Sequence, residues 1–373
     1  YPQHDQTDLV ARSRTPAPPT LMDVLPPPPP PAETSIPGHI PGRVGFRRRS
    51  EQRQAALDQA WRRCSGLVLA EIQGDPSASS STAPVPLGLA WAELPAGLDP
   101  AEGELEDEGR ASRKRDQVAS LVAHALAMVA DLPNPRIVEF GAGSGHVGVL
   151  LAHLRPEASV ALVEMKEYST TVAKQRMESV GLKNCHVFHG TVDGYAESGE
   201  AWDLAVGLHT CGLLTDAVLH LAVRRGAAAC VVPCCYGQVA AFKEDHNRGQ
   251  GTAARMQPLS RALAETLAPE NGDGGHGDAY AWCAKAADFT TGRGGEFDPA
   301  GAGFQTALRC MRTVDADRLW WAREQGYSGS LGLLTPLGCS PKCCVVRLVP
   351  PKAASVQGGD PERREAGPES AQE

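Results

Sequence analysis

The sequence predicts an α/β fold: a doubly wound, Rossmann-like parallel sheet closed by an antiparallel last strand. Three patterns predict it. Five short apolar runs between residues 136 and 235 alternate with segments of helical period, glycines crowd the chain directly after the first run, and two late apolar runs flank a Gly/Ser/Pro turn in "LGLLTPLGCSPKCCVVRLVP". Short apolar strands joined by helices require a parallel sheet covered on both faces. At 373 residues and 42% hydrophobic content the chain has the material for a sizeable core. Its longest apolar stretches, such as 121–130 and 227–233, fall short of the roughly 20 residues a membrane span needs.

Along the chain, residues 1–42 carry "TPAPP" and "LPPPPPP", which favour polyproline II and bury too little apolar surface to fold, so a disordered arm is expected. Residues 43–113 combine an arginine-rich segment, "RVGFRRRSEQRQAALDQAWRR", with the acidic run "EGELEDE". The first is expected to form a helix capped by Ser50 with a solvated charged face, and residues 74–112 to form a linker separating that helix from the main domain.

The main domain is expected over 114–350. "QVASLVAHALAMVA" has the spacing of an amphipathic helix that "DLPNP" stops. "RIVEF", "SVALVE", "CHVFHG", "WDLAVGLH" and "AACVVPCC" read as strands. Between them "GHVGVLLAHL", "STTVAKQRMESVG" (closed by Gly181) and "LTDAVLHLAVRRG" (with Thr215 as N-cap) read as helices. A helix over 253–267, a variable Gly-rich loop over 270–278, a helix at "DADRLWWAREQGY" and the closing hairpin follow. Residues 351–373 are polar and expected to be a disordered tail.

In such a sheet the ligand lies beyond the carboxyl ends of the strands, and the first strand-to-helix turn touches it. Gly141, Ala142, Gly143 and Gly145 occupy that turn, where bare backbone lets a ligand approach the N–H groups of the helix. Two cofactors use such a turn. Gly143-x-Gly145-x-x-Gly148 fits a dinucleotide fingerprint, whereas Glu139-x-Gly141-x-Gly143-x-Gly145 is the acid-led pattern of S-adenosyl-L-methionine sites. A carboxylate at Glu139 repels a pyrophosphate and attracts the ammonium of a methionine moiety, so charge favours the methyl donor. Glycines that only allow close helix–strand packing are the bland alternative. Glu164, with Met165 beside it, ends strand two, where a carboxylate accepts from both hydroxyls of a ribose. Thr191 and Val192 follow strand three, where the loop meets the adenine.

His209 and Cys211 finish strand four, and Cys234 and Cys235 finish strand five, on the same rim. Three readings stay open for them: a zinc site, a thiolate nucleophile of the kind that activates carbon-5 of a pyrimidine, or small apolar cysteines packing the wall beside His209. The zinc reading meets an obstacle, since neighbours on a strand point to opposite faces and Cys234 and Cys235 converge only if the strand has already broken. No metal is therefore expected. Tyr236 is a stacking or a packing residue.

"GAGSGHVGVLLAHLRP", "VALVEMKE", "VGLHTCGLLTDAVL", "VPCCYG" and "CSPK" together resemble the methyltransferase portion of the glutathione S-transferase C-terminal domain-containing proteins and related class I methyltransferase-like proteins. The resemblance spans about 137–349. It implies a class I methyltransferase sheet, S-adenosyl-L-methionine as cofactor and methyl transfer as activity. The His-x-Cys-Gly segment and the Cys-Cys pair also resemble tRNA 2′-O-methyltransferases, which makes RNA the implied substrate; His209, as proton acceptor for a ribose hydroxyl, and Cys211 and Cys234 at the strand ends are the candidate catalytic residues. Cys343 stands after "SPK", where those relatives tend to carry Asn, and no Cys/His zinc finger accompanies the domain. A non-catalytic module of the same fold and a nicotinamide-dependent oxidoreductase are the competing functions.

The net charge of −8 supplies no overall field to recruit nucleic acid or anionic lipid, so any such contact must be local. Eleven cysteines with vicinal pairs do not form the spaced framework of a secreted scaffold, so an intracellular and, by preference, cytoplasmic setting is expected. The chain opens on Tyr1, which leaves organelle targeting open. Nothing in the sequence sets an oligomeric state.

Overall fold

The computed structural model describes residues 57–65, 87–102, 107–240, 258–268, 276–290 and 298–351, with Ala55, Val68 and Pro84. The Pro-rich arm, Ser50 and nearly all of the C-terminal tail lie outside the described residues.

Seven strands form one sheet: β1 (Arg136–Phe140), β2 (Ser159–Glu164), β3 (Cys185–His189), β4 (Leu204–Cys211), β5 (Ala228–Cys234), β6 (Ser328–Leu333) and β7 (Cys344–Val349). Their spatial order is β3-β2-β1-β4-β5-β7-β6. The first five are parallel, with Val138 paired to Ala161 on one side and Ala205 on the other. β7 is antiparallel to both β5 and β6, so the hairpin expected from the sequence inserts its second strand beside β5. Strand order reverses between β1 and β4, which opens a crevice at the carboxyl ends of those two strands.

Helices α1 (Glu108–Met128), α2 (His146–Leu154) and α3 (Glu167–Val180) cover one face, and α4 (Val192–Glu197), α5 (Leu213–Arg225) and, further along the chain, α9 (Ala302–Glu324) the other. Central strands buried on both sides need uninterrupted apolar runs, and Ile137, Val138, Phe140, Val160, Leu162, Leu204, Val206 and Val231 are all within 1% of complete burial. Gly181 and Gly226 end α3 and α5 in left-handed conformations, as helix-stop glycines do.

Several boundaries differ from the sequence reading. α1 starts inside the acidic run, because the Asp107 carboxylate accepts from Arg110 N at 2.6 Å and caps the helix. Part of the expected linker is packed structure: Asp99 pairs with Arg115 at 2.6 Å, and Arg176 Nη1 donates to the carbonyls of Gly97 and Asp99. The helical residues 57–65 are likewise docked on the domain, with Ala60 and Cys64 buried, Cys64 Sγ 3.8 Å from Thr313 Oγ1, and the Arg309 guanidinium over the Trp61 ring. Thr215 does not cap α5. The helix starts at Leu213 after Gly212, and the buried Thr215 hydroxyl donates to Thr210 O at 2.6 Å.

Beyond β5, α6 (Gly237–Ala240) is a single turn, α7 (Arg261–Leu267) is capped by Ser260, and α8 (His276–Ala286) starts where the loop was expected to continue to Asp278. α9 begins thirteen residues earlier than "DADRLWWAREQGY" suggested. Its core-facing side hides four charged residues: Arg312, Asp315, Asp317 and Arg318 are each at most 1% exposed. Arg318 bridges Asp216 of α5 (2.7 Å) and Asp315 (2.9 Å), and Asp315 also accepts from the Tyr236 hydroxyl (2.9 Å). Tyr236 is fully buried, so it packs and anchors; it does not stack on a ligand.

Candidate active site

A cavity of about 540 Å³ occupies the crevice at the strand-order reversal. Glu139, Gly141, Ala142, Gly143, Ser144, His146 and Val147 line one side, and Leu208 and His209 another. Arg110, Arg113, Lys114 and Gln117, from the first turns of α1, together with Pro100, complete it.

The turn after β1 is built from left-handed backbone at Gly141 (φ +67), Gly143 (φ +54) and Gly145 (φ +77), a conformation costly to any residue with a Cβ. A Cβ built on Gly143 would meet nothing within 4 Å, so its place is open space beside the cavity wall. Gly145 has a second constraint, since a Cβ there would stand 2.9 Å from Leu162 Cδ1. At Gly148 packing alone decides: a Cβ would lie 2.1 Å from Leu162 Cδ2 and 2.9 Å from Glu139 Oε2. The third glycine of the dinucleotide reading therefore serves helix–strand contact.

Glu139 is 2% exposed, and its Oε2 accepts from Gly148 N at 2.7 Å, satisfying one N–H that the first turn of α2 leaves without an intrahelical partner. Burial pushes its pKa up to about 8, against the opposing pull of that hydrogen bond and of Lys114. In the free protein the group is mostly protonated at neutral pH, so the charge contrast drawn from sequence between ammonium and pyrophosphate is not carried by a standing carboxylate. Strand topology decides between the two cofactors instead.

Glu164 spans two loops: Oε2 accepts from Gly143 N and Oε1 from Lys166 N, both at 2.9 Å. It is not itself in the cavity lining, and it meets that lining through the Gly143 amide. Met165 is 58% exposed beside it, with its carbonyl 3.1 Å from His189 Nε2. Thr191 caps α4 by accepting from Gly194 N at 3.0 Å, and Val192 is the first helical residue. The structure thus gathers Glu139, Gly141, Ala142, Gly143 and His209 round one cavity, and strings Glu164, Met165, Thr191 and Val192 along the neighbouring strand ends.

His209 interrupts β4 at a register shift and holds φ +59. Burial, then Lys114 and Lys342, hold its pKa down to about 4, so the ring is neutral at physiological pH. Its tautomer follows from its neighbours. Gln117 Nε2 donates to Cys339 O (2.6 Å), which turns Gln117 Oε1 toward His209 Nε2 (2.9 Å). Nε2 must then carry the proton, leaving Nδ1 as the acceptor.

Cys211, Cys234 and Cys235 do not line the cavity. Their sulfurs cluster behind His209, all within 4.8 Å of one another, and Cys234 Sγ donates to His209 O at 3.3 Å. The Cys211 and Cys234 sulfurs lie 2.9 Å apart, and this contact holds the Cys211 pKa down to about 6 and pushes Cys234 up. Sequence reasoning missed Arg110, Arg113, Lys114 and Gln117. The run "RASRKRDQ" was the available signal, but it straddled a boundary drawn between linker and domain.

Residues 113–242 match a family model described as a methyltransferase domain. Among curated proteins, the chain is 32% identical over 262 residues to the glutathione S-transferase C-terminal domain-containing protein of Mus musculus and 34% identical over 233 residues to its homolog in Drosophila melanogaster. Residues 113–242 are a methyltransferase domain. The matches cover 70% and 62% of the chain but 37% and 36% of those proteins, so the chain spans little more than a third of their length. Among solved structures, an rRNA methylase from Streptococcus thermophilus aligns at 15% identity with a TM-score of 0.27, over 30% of this chain and 70% of that one, a likeness too partial to bear on function. The methyltransferase domain has the sheet of class I enzymes with an antiparallel last strand, and its cofactor is S-adenosyl-L-methionine. The residues fit that group: the glycine turn leaves open space at Gly143, Glu139 lines the cavity, and Glu164 is bonded to the Gly143 amide. No helix among the described residues is long and apolar enough to cross a membrane.

Proposed function

We propose that the protein catalyses S-adenosyl-L-methionine-dependent methylation of RNA, at a ribose hydroxyl or a base. The observation that carries the RNA reading is the cationic wall of the cavity. Arg110, Arg113 and Lys114 stand on one helix opposite the glycine turn, a local concentration of positive charge in a chain of net charge −8. Phosphate-bearing acceptors are held by such groups, and guanidinium binds phosphate oxygens in bidentate fashion.

Bound in the crevice, the cofactor supplies a sulfonium methyl group ready for in-line displacement. Glu139 would hold the ammonium of its methionine end, Glu164 the ribose, and the backbone of Gly141–Gly143 the span between. Methyl transfer depends mainly on alignment in a site that excludes water. His209 orients the acceptor: Nδ1 accepts a hydrogen bond from the acceptor hydroxyl while Nε2 stays fixed on Gln117. With its pKa near 4, His209 is too weak a base to strip a hydroxyl beforehand, so the proton leaves as the bond to carbon forms.

The test is transfer of a tritiated methyl group from labelled donor to total RNA and, in parallel, to total protein. RNA should be labelled, and Arg110→Glu with Arg113→Glu should abolish that labelling while leaving S-adenosylhomocysteine binding within about threefold. Labelled protein with unlabelled RNA would reject the RNA acceptor, and no labelling of either would reject turnover on these macromolecules.

A further inference from the structure

The three strand-end cysteines are placed as ligands. Cys211 ends β4, and its cross-strand partner in the register is Cys234, which ends β5. Cys235 is the next residue, and on a continuing strand its side chain would leave by the opposite face. It does not, because the chain turns there: Cys235 takes φ +51, a left-handed conformation that is strained for a residue with a Cβ. That turn carries its sulfur to 3.5 Å from Cys211 Sγ, while Cys234 Sγ lies 2.9 Å from the same atom. The obstacle that sequence raised against chelation by both members of the pair is removed.

The turn is also held rigidly. Asp288 accepts from the next two amides, Tyr236 N at 3.0 Å and Gly237 N at 2.7 Å, and is itself paired to Lys342 Nζ at 2.7 Å. The Tyr236 side chain is pinned inside the core by Asp315. Strained backbone fixed from both sides is characteristic of ligand clamps. Two members of the cluster reach the surface, Cys211 exposed and Cys235 half-buried, whereas Cys234 and the remaining eight cysteines are buried.

We propose that Cys211, Cys234 and Cys235 bind one zinc ion through three thiolates, with the fourth coordination position facing solvent. Soft sulfur donors select zinc over magnesium or calcium. Zinc–sulfur bonds of about 2.3 Å in a tetrahedron place sulfurs about 3.8 Å apart, so binding needs only a modest opening of the observed cluster. As the thiols deprotonate, their protons pass to solvent, and the ion replaces the short thiol–thiol contacts. Three protein ligands with an open fourth position is the arrangement of reactive rather than purely structural zinc. The His209 carbonyl bonded by Cys234 puts this ion directly behind the residue that faces the donor cavity. The proposal does not depend on RNA being the acceptor.

The experiment uses the full chain purified under reducing conditions without chelator, with metal measured by mass spectrometry. About one equivalent of zinc per chain is expected, weakened about a hundredfold or more by Cys211→Ser or Cys235→Ser. Cobalt exchanged into the wild type should show thiolate-to-metal charge-transfer absorption that both variants lack. Cys185→Ala, on β3 at the far edge of the parallel strands, should keep the metal. Unchanged circular dichroism and S-adenosylhomocysteine binding certify that the serine variants fold. Absence of zinc and of the cobalt band from folded wild type overturns the proposal, as does full retention of zinc by both variants or a Cys211–Cys234 disulfide under the same conditions.

Discussion

Replacing Glu139 with glutamine should remove a pH dependence of cofactor affinity that the wild type must show. In the free protein its carboxyl titrates at about 8 because it is buried. About 1% is therefore ionised at pH 6, about 9% at pH 7 and half at pH 8. If the ammonium of the ligand engages only the carboxylate, apparent affinity rises about ninefold from pH 6 to 7, about fivefold more to pH 8, and little beyond. Each binding event at pH 7 should release about 0.9 proton. Calorimetry of S-adenosylhomocysteine in buffers of different ionisation enthalpy measures both quantities. Glutamine keeps an acceptor for Gly148 N, so E139Q should fold and bind with a flat profile over the same range. The stability of the free protein gives an independent check of sign. A carboxyl raised from 4.5 to about 8 by folding holds a proton that the unfolded chain has released, so wild-type stability falls as pH rises through that window, by up to about 1.4 kcal/mol per unit. E139Q lacks that slope. A wild-type dissociation constant that stays constant from pH 6 to 8, or an E139Q profile parallel to it, refutes the reasoning.

Other consequences concern packing and chemistry. Gly148→Ala drives a methyl group against Leu162 and should cost about 1–3 kcal/mol, read as a lower urea midpoint with an unchanged m-value. Arg318→Met leaves Asp216 and Asp315 buried without their cation and should cost about 3–5 kcal/mol in guanidinium unfolding; a loss below about 1 kcal/mol would show that the cluster does not hold α9. His209→Ala should lower single-turnover methyl transfer about a hundredfold or more with S-adenosylhomocysteine affinity unchanged. Because the His209 pKa is held at about 4, the wild-type transfer step should show no ionisation near 6.5, and an acidic limb there that vanishes in His209→Ala would contradict its placement.

Much of this molecule was legible residue by residue. Apolar runs of five to eight residues set β1 to β5 within about two residues, because a strand buried on both faces admits few polar side chains. The glycine turn was legible because left-handed backbone at Gly141, Gly143 and Gly145 excludes nearly every other residue. Less visible was whatever depends on a distant partner. Nothing in the sequence signals that Asp315, Asp317 and Arg318 are buried against Tyr236, Ser260 and Asp216. The cation wall on α1 was hidden because nothing local says that Asp107 caps a helix whose first turn faces the cavity.

What sequence determined alone is the order of the seven strands, the helices α2, α3 and α5 between the first five of them, and the presence of an acid-led glycine turn, since these follow from local periodicity and backbone sterics. Tertiary structure alone decided the charge state of Glu139, the tautomer of His209 and the convergence of three sulfurs. Each of these is set by burial, or by a neighbour far away in the chain. Ionisation and ligand geometry respond to what surrounds a group in space, and that is absent from a one-dimensional string.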